Sequence, residues 1–237
     1  MEAHPMFRSH TALFLLLTGC LGSCNSTLLD RGVREGIIEY ELSFPDQDPE
    51  GLMAGMLPER STLSFRKHQQ SAELSAGMGI FRTTMVIDNS VESLDYHMSL
   101  MSKKLVAHLA PSDLELFNPS KQQPTILYTS ELDTIAGYPC RKAVAVFDAL
   151  DRAECEIWYT DRIHMANPNW FGPFAEIPGV LLRYDVIQYG LRMRLNAITV
   201  TPAEVDGAKF SRKPDFQEVS AEVLYQELAE ILETFTM

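Results

Sequence analysis

From residue 36 onward, apolar and polar positions alternate with a period of two. Ile38, Tyr40, Leu42 and Phe44 alternate with Ile37, Glu39, Glu41 and Ser43. Leu94, Tyr96, Met98 and Leu100 alternate with Asp95, His97 and Ser99, and Leu182, Tyr184 and Val186 with Arg183 and Asp185. Leu191, Met193 and Leu195 alternate with Arg192, Arg194 and Asn196. Successive side chains of a strand point to opposite faces, so each run predicts a strand with one face on an apolar interior and the other in water. The runs at 60–67, 70–76, 80–88, 104–109, 126–135, 140–147 and 154–160 predict further strands. Turn-forming residues separate them at 88–90, 118–120, 148–152, 189–190 and 206–207. Without helical crossovers between strands, the connections point to an antiparallel meander rather than a parallel sheet.

Two segments have a different period. Met53, Met56 and Leu57 within 48–58 are spaced for a short Met-rich helix. Leu224, Leu228, Ile231 and Phe235 form one apolar stripe of a helix over 220–235, with Glu222, Glu227, Glu230 and Glu233 opposite. The expected fold is therefore mainly β (α+β): a single antiparallel curved sheet or half-barrel, with the C-terminal helix and the short Met-rich helix against its concave face. Residues 36–237 form this one β-rich domain.

The start of the chain follows another logic. Arg8 and His10 precede an apolar run, 11–17, far shorter than the roughly 20 residues needed to cross a bilayer. A short basic region, a short apolar core and small residues beyond it make an export signal, whether read from Met1 or from Met6. The run ends in Leu17-Thr18-Gly19-Cys20 and Leu21-Gly22-Ser23-Cys24. Both resemble the lipobox of bacterial lipoproteins, in which the cysteine thiol is acylated and becomes the new N-terminus. Cys20 fits the box more strictly. Cys24 gives the better signal length and is followed by the polar residues Asn25-Ser26-Thr27. Residues 1–24 are thus read as a lipoprotein signal and lipobox, and 25–35 as a tether.

The chain carries 20 basic and 32 acidic residues, a net charge of −12. That balance disfavours nucleic acid and electrostatic attraction to anionic headgroups; a covalent lipid would attach the chain to a membrane regardless. Beyond the signal only Cys140 and Cys155 remain, flanking a predicted hairpin, and either a disulfide or two buried thiols fits. The histidines at 4, 10, 68, 97, 108 and 164 lack ligand spacing, so no metal and no cofactor is expected. The acids Asp148, Asp151, Glu154 and Glu156 lack the pattern of a calcium loop. No nucleophile elbow, phosphate loop or dinucleotide fingerprint is present.

One stretch carries a family likeness. Gly137-Tyr138-Pro139-Cys140-Arg141-Lys142-Ala143, Ile157-Trp158-Tyr159-Thr160, Gly172-Pro173 and Ile177-Pro178-Gly179-Val180-Leu181-Leu182 occur in that order. Together they resemble the GLPGLI-type and related uncharacterised envelope proteins of Bacteroidetes-like bacteria, and 210–216 resembles that group's ending after its last strand. Some members resemble the lipoprotein-carrier (LolA/LolB-like) fold, an incomplete barrel wrapped around helices. The likeness implies an architecture and a compartment but no chemistry. Gly137 and the Pro178-Gly179 pair suit tight turns, and Lys142 reads as a solvated strand residue.

Three functions follow as expectations. The first is a non-catalytic, membrane-anchored envelope lipoprotein holding a lipid, acyl chain or hydrophobic segment in an apolar concavity; the nine methionines beyond residue 24 would suit its lining. The second is a protein–protein interaction or sensing module that presents Trp158, Tyr159, Trp170, Phe171 and Phe174 to an envelope partner. The third, a hydrolase, needs a nucleophile beside a histidine in a cleft. The outer membrane is the expected address, because no Asp directly follows Cys20 or Cys24.

Overall fold

The alternating runs do become strands, and they join into one sheet. The computed structural model describes residues 1, 32–48, 50, 54–117, 123–148, 153–188 and 191–233. Cys20 and Cys24, with the signal and most of the tether, lie outside the described residues. The strands are β1 (Glu35–Ser43), β2 (Arg60–Arg66), β3 (Gln69–Ala76), β4 (Phe81–Asp88), β5 (Ser93–Leu100), β6 (Lys103–Leu109), β7 (Thr125–Ile135), β8 (Tyr138–Phe147), β9 (Ala153–Thr160), β10 (Val180–Gln188), β11 (Leu191–Pro202) and β12 (Gln217–Glu218). Two helices accompany them, α1 (Leu114–Phe117) and α2 (Ala221–Glu233).

The spatial order is β12-β6-β5-β4-β3-β2-β1-β11-β10-β9-β8-β7. Two meanders, β1–β6 and β7–β11, thus meet where β1 pairs with β11, and the sheet stays open with edges at β12 and β7. Every pairing between these strands is antiparallel except β12 on β6, and an isolated bridge between Val33 and Ile163 is also parallel. Tight connections explain the meander: Lys67 and Ala136-Gly137 adopt positive φ in two-residue turns, the twist that suits a right-handed hairpin. Among the described residues no helix is long and apolar enough to cross a membrane.

Cross-strand register sorts the side chains onto two faces. On one face Phe65, Ile87, Leu94, Met98, Leu105 and Leu109 are all buried. The amphipathic helix α2 lays Ala221, Leu224 and Leu228 on part of this face, with Phe117 of α1 beside it. Ser220 begins α2, its hydroxyl accepting from the Val223 N–H, a favoured N-cap arrangement. The predicted C-terminal helix is therefore present, although Phe235 lies outside the described residues.

The Met-rich segment is different. Its described part forms only a single 3-10 turn, Ala54–Met56, and Met56 is exposed. The rest of the stripe expected for this helix includes Met53, which lies outside the described residues.

Candidate functional site

The connection 161–179 covers the same apolar face and bridges the two meanders. Trp170 and Phe171 pack with the α2 cluster over β3–β6, while Phe174 and Ile177 pack on Ala143, Ala145, Cys155 and Ile157 of β8 and β9. Polar anchors hold the loop down. The Gln70 side-chain amide donates to Pro168 O at 2.8 Å and to Asn89 Oδ1 at 2.9 Å, and Trp170 Nε1 donates to the same Oδ1 at 3.1 Å. Asn169 donates from Nδ2 to the carbonyls of Ile177 and Gly179.

The aromatic residues singled out from sequence are therefore mostly interior. Tyr159 and Phe174 are buried, and Trp170 and Phe171 are half-buried against the sheet. Trp158 is buried too, but it belongs to the opposite, polar face. The five do not make one exposed aromatic patch. Gly179 also differs from expectation. It lacks the positive φ of a type II turn, and a Cβ there would sit 2.4 Å from Thr160 O. Close backbone approach, rather than turn geometry, requires the glycine.

Cys140 and Cys155 are free and buried. Cys155 pairs with Ala145, five residues along β8 from Cys140. At about 3.4 Å per residue the two are roughly 17 Å apart along the strand direction, and an odd separation puts them on opposite faces. A disulfide needs Cα atoms within about 7 Å, so the bridge is ruled out in this fold. Burial pushes both thiols up to about 11, which leaves them protonated and unreactive near neutral pH.

The polar face of the second meander is where charged groups converge. Asp185 on β10 is 2% exposed and sits opposite Arg194 on β11. Arg194 donates to it from Nε at 2.8 Å and from a terminal nitrogen at 3.1 Å. Arg192 donates from Nε at 2.8 Å. One buried carboxylate thus fixes two guanidinium groups, and the Asp185 hydrogen bond is the first cause that holds Arg194 above its ordinary value. Arg183 donates to Asn196 at 2.9 Å and to Asp133 at 3.2 Å.

Lys142 is not freely solvated. Its ammonium pairs with Glu156 at 2.8 Å and Glu131 at 3.2 Å, and these bonds, Glu156 first, raise its pKa. Lys142 and Arg183 both lie over the Trp158 ring, at 5.8 and 5.9 Å, within cation–π range. Glu41, Ser43, Glu156, Arg183 and Arg194 face a cleft of about 470 Å³ floored by Asp185 and Asn196. The sequence reading missed this constellation. Its signal was opposite charges at outward positions of adjacent strands, Asp185 and Glu156 against Arg192 and Arg194, which reads as ordinary solvated surface.

Among the described residues, no group of three His, Cys, Asp or Glu side chains could hold a metal ion. His108 Nδ1 lies 2.8 Å from Asp95 Oδ1, and His97 contacts only backbone atoms and an aromatic ring. No Ser, Thr or Cys side chain among the described residues hydrogen-bonds to either. The cleft can position charged or hydrogen-bonding groups.

No family model matches this chain, and no curated protein matches it. Among solved structures it is similar to PNGF-II in a P21 crystal form, with a TM-score of 0.50 and 15% identity over 83% of this chain and 33% of that one. The C2 form of PNGF-II gives a TM-score of 0.48 at 15% identity with the same coverage. The chain thus spans about a third of the length of the structures it matches, and at this identity the likeness to PNGF-II is one of fold alone.

Proposed function

We propose that this chain is a non-catalytic lipoprotein of the cell envelope, held to the outer membrane through Cys20 or Cys24, that works as an interaction module. Its partner is another envelope protein, whose charged segment docks in the cleft of β1, β9, β10 and β11. The observation that carries this reading is the buried Asp185 holding Arg192 and Arg194. Guanidinium groups fixed in advance lose less side-chain freedom on binding, which favours recognition of a partner's carboxylates. The Glu41 and Glu156 side chains of the same cleft would meet basic groups. Charges of both signs select register more than they add affinity.

A lipid or acyl chain held on the apolar face is the second reading, and the family's carrier-like half-barrel motivates it. What favours it is the apolar surface of β3–β6 beneath α2. Leu224 and Leu228 already fill part of that surface, so cargo would have to displace α2.

The two readings separate by photo-crosslinking in the envelope of an expressing bacterium. A crosslinker at Ser43, in the cleft, is expected to capture one protein; at Val223, on the exposed side of α2, it is expected to capture none. Phospholipid captured from position 228 and nothing from position 43 would overturn the interaction reading. Metabolic labelling with palmitate is expected to be lost on replacing one of Cys20 or Cys24 by Ala. Label retained in the double replacement would sink the anchor.

A further inference from the structure

The polar face of the first meander, unlike that of the second, is covered. After β11 the chain crosses it through a 3-10 turn, Gly207–Phe210, and residues 211–216, then turns the sheet edge as β12 and enters α2 on the other side. Beneath this strap Ser64, Ser71, Thr84 and His97 are each at most 3% exposed. Several contacts pin the strap to the sheet. Arg66 lies 4.6 Å over the Phe210 ring, Lys209 pairs with Glu73 at 3.0 Å, and Lys104 pairs with Asp215.

A further pin is His97, which is 1% exposed. Its Nδ1 lies 3.3 Å from Thr84 O, and its Nε2 lies 3.2 Å from the Lys213 backbone nitrogen. A carbonyl can only accept, so Nδ1 carries the proton; the Lys213 N–H can only donate, so Nε2 must be bare. Lys213 also donates from Nζ to Thr84 Oγ1 at 3.1 Å, and Phe216 packs edge-on to the imidazole at 5.1 Å. A proton on Nε2 would set N–H against N–H and put a second positive charge beside the Lys213 ammonium.

We propose that residues 203–216 form a proton-operated strap whose catch is His97: neutral His97 holds the strap on the sheet, and its protonation releases 211–216 and loosens the attachment of β12 and α2. The inference stands apart from the interaction reading of the cleft. Charged groups acting on His97 are Lys213 of the strap and Asp95 beside it on β5; around the Lys213 ammonium stand Glu73, Arg82, Lys209 and Asp215, the last paired with Lys104. Asp95 is engaged by His108 of β6 at 2.8 Å and so offers His97 little compensation.

Burial is the first cause that lowers the His97 pKa, with Lys213 adding to it against the Thr84 carbonyl and Asp95. The released imidazole has an ordinary value of about 6.5, so the open form takes up the proton first. The closed strap therefore has its full stability above about pH 6.5, and opening becomes about tenfold more favourable per pH unit below that, until the closed-state value is reached.

The test is hydrogen exchange of the Lys213 amide in the full chain at pH 7.5 and 5, corrected for intrinsic rates. Protection is expected to fall, by up to about 30-fold. The fall is expected to disappear in His97→Gln, which can keep an uncharged acceptor, and to persist in His108→Gln. Unchanged protection in the parent chain, or a fall that survives in His97→Gln, would overturn the proposal. Should His97→Gln not fold, the imidazole titration followed by NMR decides: a His97 midpoint at or above about 6.5, or one that strap opening does not track, also overturns it.

Discussion

The two meanders have the same strand pattern, yet they finish their polar faces in opposite ways. In β1–β6 that face is mostly roofed by the strap, and its buried side chains are small or neutral: Ser64, Ser71, Thr84 and His97. In β7–β11 the face stays open, and its deeply buried polar residues include a carboxylate, Asp185. Desolvating a neutral hydroxyl costs far less than desolvating a carboxylate, which must be paired. Asp185 meets that need with two arginines that remain partly exposed. The covered half is thereby suited to holding the fold together, and the open half to meeting another molecule.

The comparison can be broken most forcefully in the covered half. Leu228→Ala removes a fully buried side chain from the α2 cluster and is expected to destabilise by about 3 kcal/mol, measured by urea unfolding. A loss below about 1 kcal/mol would mean that α2 is only loosely seated. Next in size is a kinetic effect. With both thiols pushed up to about 11 from 9.0, Cys140 and Cys155 are expected to alkylate about 100-fold more slowly in the folded chain than in urea at pH 8. Rapid labelling of either one would show that its strand opens. Smallest is Asp185→Asn, expected to cost about 2 kcal/mol, less than a fully buried pair because both guanidiniums reach solvent. If that variant unfolds at the parent's urea midpoint, the pair positions the cleft without stabilising the sheet.

Most strands were legible along the chain because one face of each lies in the core, and a period of two follows directly from the pleat. The C-terminal helix was legible for the equivalent reason, with Leu224 and Leu228 one turn apart. The aromatic loop was visible as unusual but not as a cover. Its docking depends on Gln70 and Asn89, 98 and 81 residues away from their loop partners, and sequence spacing carries no such information. The cleft was invisible for a related reason: outward Arg and Asp residues look alike whether they are solvated singly or paired across strands.

What the sequence determined by itself is most of the strands, the C-terminal helix, and the face these present to the interior. These are local properties, set by side-chain alternation, turn residues and short motifs. The tertiary structure alone decided that β1 and β11 join the meanders, that Cys140 and Cys155 fall on opposite faces, and that Asp185 gathers Arg192 and Arg194. It also decided that His97, one of several scattered histidines, lies beneath residues more than a hundred positions further on. Such pairings arise when register brings distant strands side by side, and the free energy of burying a charge or an imidazole depends on what register places opposite it.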